Sequence, residues 1–400
     1  MIFTQIEFLF FFLIVALLSF LISNNKNQKL LLLLFSYYFY AYWDWRFVGL
    51  ILVSTVIDYT IGGLIEKNNS LAHRKVLVST SIILNLSLLG FFKYFNFFID
   101  SLSLVIGNSA SIYLINNLIL PVGISFYTFQ SLSYTIDIYR NKLKPANTFL
   151  DFALYVSFFP QLVAGPIVRA IDFIPQLGFV KKISIKRIKI GFNQFVYGLF
   201  KKIFIADNLA EYIDFGFNNH EILSGPTLLI VALTYSIQIY CDFSGYSDMA
   251  IGAAKILGFK FNLNFDSPYI SQNITEFWRR WHISLSSWLK DYLYISLGGN
   301  RKGKLKTKFN LFITMTLGGL WHGAAWNFIF WGIWHGFGLI IHKQISSNKN
   351  SYFRFLEFFQ IGAFNIINWA LTMIFVCIGW IFFRSPDFTT GLFIIKKIFF

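Results

Sequence analysis

The 400-residue sequence is poor in charge: 13% of its residues are Asp, Glu, Lys or Arg, whereas 56% are hydrophobic and 20% are aromatic. A soluble globular domain usually carries about a quarter of charged residues, so the composition excludes that class. The apolar residues form long runs rather than amphipathic stripes. This pattern is typical of a helical protein that crosses a membrane several times.

Cysteine and the common catalytic motifs are also scarce. Cys241 and Cys377 lie in or beside apolar segments and form no CxxC pair, so the sequence supports neither a disulfide framework nor a zinc site, and we interpret both as small packing residues. No HExxH occurs, and no two histidines stand four residues apart, so we expect no bound metal. A GxSxG motif is missing as well, which argues against serine-hydrolase chemistry.

The apolar runs predict about ten or eleven membrane segments, several of them interrupted. The clearest runs cover residues 8–22, 30–57, 76–92 and 369–383. The first run has no basic residue before it and no small-residue cleavage signal after it, so we interpret it as a retained span and not as a signal peptide.

The formal net charge of +15 lies mainly in loops. Five Lys or Arg residues occur in 181–189 and five in 301–308, and the positive-inside rule places both loops in the cytoplasm. Lys26 and Lys29 follow the first run, which predicts an extracytoplasmic N-terminus. Both loops are short and border apolar sequence, so we expect membrane orientation rather than nucleic-acid binding.

Three apolar segments contain residues that suit a lipid-facing helix poorly. Residues 117–140 and 158–170 carry Pro and Gly, and 240–259 carries Asp242 and Asp248. We expect the first to enter a protein-lined interior and the other two to be broken or re-entrant.

The less hydrophobic stretch 261–300 predicts helices at the cytoplasmic interface. No soluble domain, matched repeat or long linker divides the chain. We therefore expect one membrane domain over residues 1–400.

His322 is the strongest candidate for catalysis. Fourteen helical residues separate it from Lys308, which places it about 20 Å into the membrane, where an ionisable ring indicates function. Gly318, Gly319 and Gly323 leave room beside it for a substrate chain or a neighbouring backbone. The alternative is a packing histidine bound to a carbonyl.

His335 follows thirteen residues after His322. In an unbroken helix it would point about 220° away, so we expect different neighbours for the two rings and a structural role for His335.

A second candidate site is "WRRWH", which contains Arg279, Arg280 and His282. Two guanidinium groups between indole rings suit a phosphate-bearing ligand, and the alternative is an interfacial anchor. Taken alone, His282 fits a structural role better than a functional one.

Five long motifs resemble the membrane-bound O-acyltransferase (MBOAT) family, and the likeness runs over nearly the whole chain. They are "LPVGISFYTFQSLSYTIDIYR" (120–140), "FFPQLVAGPIVR" (158–169), "YCDFSGYSDMAIGAAKILGFKFNLNFDSPY" (240–269), "FWRRWHISLSSWLKDYLYISLGGNR" (277–301) and "GGLWHGAAWNFIFWGIWHG" (318–336). "SLGGNRKG" and "LWHGAAWNFIFWG" resemble its bacterial alginate O-acetyltransferase branch.

The resemblance implies an all-α, multi-pass helical bundle with re-entrant and interfacial helices in the bacterial inner membrane. It implies that His322 is catalytic and His282 is the second functional histidine. It further implies acetyl-CoA as donor, with no permanently bound cofactor, an extracytoplasmic partner acetyltransferase and a polysaccharide acceptor such as an alginate-like exopolysaccharide. Relatives of this branch continue beyond residues 378–388 with further helices, which leaves open whether the C-terminal bundle is complete here.

Several alternatives remain at this point. Within the family they are a peptidoglycan O-acetylation subunit and D-alanyl transfer to teichoic acid. From other classes they are a polytopic transporter, in which Asp242 and Asp248 line a substrate or proton path, and an inactive membrane scaffold.

Overall fold

A computed structural model describes residues 1–107, 113–116, 118–163, 165–182, 184–347 and 362–400. These ranges contain helices, turns and irregular segments but no β-strand, as the fold-class prediction required. The α-helices in chain order are α1 (Ile6–Leu21), α2 (Asn25–Asp44), α3 (Val48–Lys67), α4 (Leu71–Leu89), α5 (Phe95–Ile106), α6 (Ile124–Tyr139), α7 (Phe149–Ser157), α8 (Phe159–Leu162), α9 (Ala170–Phe173), α10 (Ile185–Leu199), α11 (Asn208–Asn218), α12 (Gly225–Ile256), α13 (Ile274–Arg280), α14 (Ile283–Trp288), α15 (Gly303–His322), α16 (Trp326–Ser347), α17 (Gly362–Arg384) and α18 (Phe388–Phe399).

Within these ranges, four helical stretches are long and apolar enough to cross a membrane: Asn25–Lys67, Leu71–Ile106, Gly225–Ile256 and Asn365–Arg384. The first apolar run forms the shorter helix α1, which has 16 residues. The protein is thus an all-helical membrane protein, and the predicted number of ten or eleven segments stays a prediction.

The chain groups into two compact units. Unit 1 contains Met1–Phe200 and Gly245–Asn262, and unit 2 contains Lys201–Ser244 and Leu263–Phe400. The expectation of a single membrane domain over the whole chain stays a prediction.

Unit 1 buries helix α6 against α3 and α4. Thirteen of the sixteen residues of α6 are buried, which confirms the protein-lined interior for this part of segment 117–140. Ile119 and Leu120 before it are exposed, and Asn117 lies outside the described residues. On α3, the buried Asp58 carboxylate accepts hydrogen bonds from Ser81 Oγ at 2.6 Å and from Asn85 Nδ2 at 2.9 Å, both on α4. Neighbouring helices thus satisfy a carboxylate that would be costly in lipid.

Two predictions of broken segments had different outcomes. Segment 158–170 is broken: helix α8 ends at Leu162, and the described residues that follow are irregular until α9 begins at Ala170, with Ala164 outside them. The prediction for 240–259 is wrong, because α12 runs continuously from Gly225 to Ile256. Its polar side chains meet protein partners, so the backbone has no need to unwind.

Unit 2 has an aromatic core to which α12, α13, α16, α17 and α18 contribute. Helices α15 and α16 approach each other closely at Gly319 and Gly332. A Cβ atom at Gly332 would lie 2.4 Å from Met315 O, and one at Gly319 would lie 2.2 Å from Phe328 O. Only glycine fits these two positions, so the two helices can pack with their backbones in contact.

Candidate functional site

Two short helices of unit 2 position His282. Asn273 caps α13 by accepting a hydrogen bond from Glu276 N at 2.9 Å, and α14 begins immediately after His282. Between them the chain turns at His282, whose φ of 42° and ψ of 54° lie in the left-handed region. A non-glycine residue is uncommon there and pays a steric cost, so the surrounding contacts must hold it in place.

Asn264 provides those contacts. Its carbonyl oxygen accepts from Ile283 N at 2.8 Å, while its side-chain oxygen accepts from Ser284 N at 3.2 Å and from Ser284 Oγ at 2.8 Å. The same oxygen lies 3.2 Å from His282 Nδ1. Because a backbone N–H can only donate, the shared atom is an acceptor, and His282 Nδ1 must carry the hydrogen.

This arrangement fixes one tautomer of His282. The side chain is fully buried, and burial together with the nearby His322 holds its pKa well below the usual range, so the ring is neutral. With the hydrogen on Nδ1, the Nε2 atom carries a lone pair. Among the described residues, Nε2 has no hydrogen-bond partner.

His322 stands at the last position of α15, where Gly323 in extended conformation ends the helix. Its side chain is half-buried. The ring centre lies 6.3 Å from that of His282, and the Trp321 and Trp331 rings pack against it at 5.1 Å each. The structure therefore brings the two predicted histidines together from segments forty residues apart.

The glycines around His322 make room for protein rather than for a substrate. At Gly319 the neighbouring backbone of α16 fills the space, and at Gly323 an added Cβ would lie 2.2 Å from the Phe328 ring. The expected approach of a neighbouring backbone is found at Gly319, whereas at Gly323 the neighbour is an aromatic side chain.

The expected orientation of His335 rested on an unbroken helix, and that premise is wrong. Helix α15 ends at His322 and α16 begins at Trp326, so helical phase does not relate the two rings. Both contact Trp331, His335 with a centroid distance of 4.8 Å. His335 is fully buried, stacks on Phe277, and has no hydrogen bond to either ring nitrogen among the described residues.

The two arginines of "WRRWH" differ in their surroundings. Arg280 donates to Glu276 at 3.0 Å and lies 3.5 Å from the carboxylate of Asp266, so its charge is paired within the protein. Arg279 is exposed and lines a cavity of about 420 Å³, together with Lys290. The other lining residues are mostly apolar or hydroxyl-bearing: Thr275, Trp278, Ile283, Ser286, Ser287, Leu289, Tyr294, Leu311, Thr314, Met315 and Leu339.

The two aspartates considered for a transport path are engaged by protein groups. In unit 2, Asp242 pairs with Lys202 at 2.7 Å, and Lys202 also pairs with Asp207 at 2.7 Å. In unit 1, Asp248 accepts a hydrogen bond from Gln194 Nε2 at 3.1 Å. These partners explain why α12 can carry both carboxylates without a break.

Sequence reasoning missed Asn264, Ser284 and Lys290. Asn264 lies in "FNLNF", eighteen residues before His282, and no spacing rule connects an asparagine in an irregular segment to a histidine in a turn. Lys290 was open to inference, since it lies in the interfacial stretch and follows the "WRRWH" motif within three helical turns.

Most of the chain matches a known protein family. The sequence profile of the MBOAT, membrane-bound O-acyltransferase family, matches residues 8–384. The chain belongs to this family. The match includes His282, His322 and the segment that carries Asn264, so the histidine cluster lies within the family's own region.

Relatives of the chain include several bacterial enzymes. It is 46% identical over 353 residues to a probable alginate O-acetylase AlgI of Pseudomonas syringae pv. tomato, and the alignment covers 87% of this chain and 65% of the relative. It is 39% identical over 384 residues to the peptidoglycan O-acetyltransferase of Helicobacter pylori, with 90% of this chain and 71% of the relative covered. Identity to the teichoic acid D-alanyltransferase of Bacillus subtilis is 29% over 288 residues, with 68% of this chain and 71% of the relative covered.

The chain thus spans about two thirds of the length of these relatives. Two of them are named for acetyl transfer at higher identity than the D-alanyltransferase, which agrees with the resemblance of "SLGGNRKG" and "LWHGAAWNFIFWG" to the acetyl-transferring branch.

Proposed function

We propose that the protein is a membrane acetyltransferase, which moves an acetyl group from a cytoplasmic thioester donor, acetyl-CoA, toward hydroxyl groups of an extracytoplasmic polysaccharide. The observation that carries the proposal is the pair of imidazoles, His282 and His322, with ring centres 6.3 Å apart. Membership of the membrane-bound O-acyltransferase family supports the reaction class.

His322 acts as the general base in this proposal. It is the more accessible ring of the pair, so an acceptor hydroxyl can reach it. His322 takes the hydroxyl proton as the oxygen attacks the thioester carbonyl, and the thiolate of CoA leaves when the tetrahedral intermediate collapses. Base catalysis by a positioned imidazole contributes about 10²- to 10⁴-fold in rate.

His282 supports the charge that forms on His322. Its Nδ1–H is held by Asn264, so the lone pair on Nε2 is available to an imidazolium or to a hydroxyl proton. A neutral acceptor held in a fixed orientation favours the positive charge without reorganising during the reaction. Asn264 is a positioning residue here, because it acts through His282.

The donor binds in the cavity lined by Arg279 and Lys290 in this proposal. The apolar and hydroxyl-bearing lining suits a pantetheine arm, and the two cations in the lining suit phosphate. Arg280 contributes to the fold of this segment rather than to the donor, because Glu276 and Asp266 already pair with it.

The acceptor belongs to the outer side of the bacterial cell membrane, where a partner acetyltransferase completes delivery to the polymer. The relatives named for alginate and for peptidoglycan both support a cell-surface glycan. We infer an alginate-like exopolysaccharide as the acceptor, with peptidoglycan as the second candidate because of the Helicobacter relative.

Purified protein in lipid nanodiscs, supplied with the partner acetyltransferase and a soluble glycan acceptor, tests the proposal by consumption of acetyl-CoA. We expect turnover in the wild-type chain and its loss in His322→Ala at matched, folded amounts. A transporter would bind or move a substrate without releasing CoA. A scaffold would leave polymer acetylation in cells intact after the same substitution.

A further inference from the structure

A second concave site lies on helices α15 and α16, away from the histidine pair. It is a cleft of about 400 Å³ lined by Asn300, Gly303, Lys304, Thr307, Lys308, Ile340, Lys343 and Gln344. Three lysines from two helices thus border one cleft, and no acidic side chain lines it.

The surrounding sequence supplies no negative charge for these lysines. No Asp or Glu occurs between Asp291 and Glu357, whereas eight Lys or Arg residues occur in that interval. Lys308 donates to the neutral Gln344 at 2.9 Å. Ammonium groups brought into one cleft repel each other, and a bound anion relieves that repulsion.

The cleft and the cavity beside Arg279 are lined from the same stretches of α15 and α16. On α15, Lys304 and Lys308 are followed at helical spacing by Leu311, which lines that cavity, and on α16 Lys343 follows Leu339, which also lines it. The ten residues from Lys304 to Thr314 correspond to about 15 Å along the helix.

We propose that the cleft of Lys304, Lys308 and Lys343 is a binding site for phosphate groups. Its cations, its hydroxyl at Thr307 and its amide groups match phosphate oxygens as ligands. Two sources share this chemistry: the headgroup of an anionic phospholipid at the membrane surface, and the nucleotide phosphates of a CoA donor whose pantetheine arm enters the neighbouring cavity. Only the second source rests on the proposed function.

The test compares two double variants that remove equal charge. Lys304→Gln with Lys343→Gln takes two ammonium groups from the cleft, and Lys302→Gln with Lys306→Gln takes two exposed ones that do not line it. All four side chains are exposed, so we expect all proteins to fold alike. Equal melting midpoints in phosphatidylcholine nanodiscs check this. A third variant, Lys304→Arg with Lys343→Arg, retains the charge of the cleft.

Two binding measurements, neither of which needs turnover, distinguish the sources. The first is calorimetric titration of CoA, and of pantetheine as the probe without nucleotide phosphates, into protein in phosphatidylcholine nanodiscs. The second is the gain in melting midpoint when phosphatidylglycerol is added to the nanodiscs.

If the site binds the donor, we expect the cleft variant to lose at least about 10-fold in affinity for CoA but not for pantetheine. If it binds lipid, we expect the cleft variant to lose the gain in melting midpoint on addition of phosphatidylglycerol. The Lys302/Lys306 variant and the Lys→Arg variant should keep the CoA affinity and the phosphatidylglycerol effect. The first result assigns the site to the donor and the second to lipid. Either assignment would stand even if the protein did not transfer acetyl groups, because neither assay measures acetyl transfer. Equal behaviour of the two Gln variants in both measurements would overturn the proposal.

Discussion

His282 and His335 are both fully buried imidazoles in unit 2, but their surroundings differ. His282 shares the side-chain oxygen of Asn264 with Ser284, whereas His335 is enclosed by aromatic rings and, within the described ranges, neither of its nitrogens has a hydrogen-bond partner. Burial alone therefore does not identify a functional imidazole. The polar partner, which fixes the tautomer and leaves one nitrogen with a lone pair, separates the two.

The largest expected effect comes from replacing the two imidazole rings, His282 and His335, one at a time. We expect His282→Ala to lower kcat for acetyl transfer by about 10²- to 10⁴-fold, because the neutral acceptor beside His322 is lost. His335→Phe keeps an aromatic ring in an aromatic enclosure and should stay within about threefold of the wild type. Steady-state release of CoA from nanodisc-embedded protein measures both.

A similar loss in both variants, at equal folded yield, contradicts the division between a polar and a packing imidazole. It would indicate that both rings serve one cavity next to His322, which the break between α15 and α16 permits.

The next prediction concerns the partner rather than the ring. Asn264→Ala removes the oxygen that holds His282 Nδ1, so we expect a loss of about 10- to 100-fold in kcat with little change in KM. Asn264→Asp keeps an acceptor for Nδ1–H and should retain most activity. Its negative charge raises the pKa of His282, so activity should be lost at a higher pH when the solution is acidified.

The pH profile is the decisive readout for Asn264, since a purely structural residue would change yield or stability without moving the acidic limb. An Asn264→Asp protein with an unshifted profile would count against the positioning role.

A smaller effect is expected at Gly332, on helix α16, which also carries His335. Gly332→Ala places a Cβ 2.4 Å from Met315 O, so α15 and α16 must separate, and we expect a loss of about 1–3 kcal/mol in unfolding free energy. Gly336→Ala, on the same helix, meets Met315 Cβ at 3.3 Å and should cost less. Thermal unfolding in nanodiscs compares them, and equal midpoints contradict the close helix contact.

The smallest effect separates the two arginines. Arg279→Gln should raise the KM for acetyl-CoA by about 3- to 10-fold while kcat changes little, because donor and transition state lose the same contact. Arg280→Gln breaks the pairs with Glu276 and Asp266 and should affect stability more than KM. An unchanged KM in Arg279→Gln would return "WRRWH" to the role of interfacial anchor.

How far the sequence predicts this molecule depends on the kind of contact. Long apolar runs predicted the helical membrane class, and Pro160, Gly165 and Pro166 predicted the break in 158–170, because both signals are local. The continuous α12 was missed because its aspartates find partners on other segments: Lys202 for Asp242 and Gln194 for Asp248. Such pairing is tertiary and leaves no periodic pattern.

In the candidate site, too, the sequence predicted the local features but not the tertiary contacts. His322 and His282 were candidates from their residue types and motifs, but their proximity could not be read from a separation of forty residues. The break after His322 invalidated a helical-phase argument that was sound for an unbroken helix. Asn264 was missed because its contacts with His282 and Ser284 depend on a turn at positive φ, which only the fold brings to it.

A double-mutant cycle on His282 and His322 tests most directly the claim that the two imidazoles act as one unit. The measurement is the single-turnover rate of CoA release for His282→Ala, His322→Ala and the double variant, each folded to the same extent. We predict that the double variant is no slower than the slower single variant, because removing either ring disables the same step. Losses that multiply in the double variant would contradict a joint role, and full activity in His322→Ala would remove the catalytic assignment.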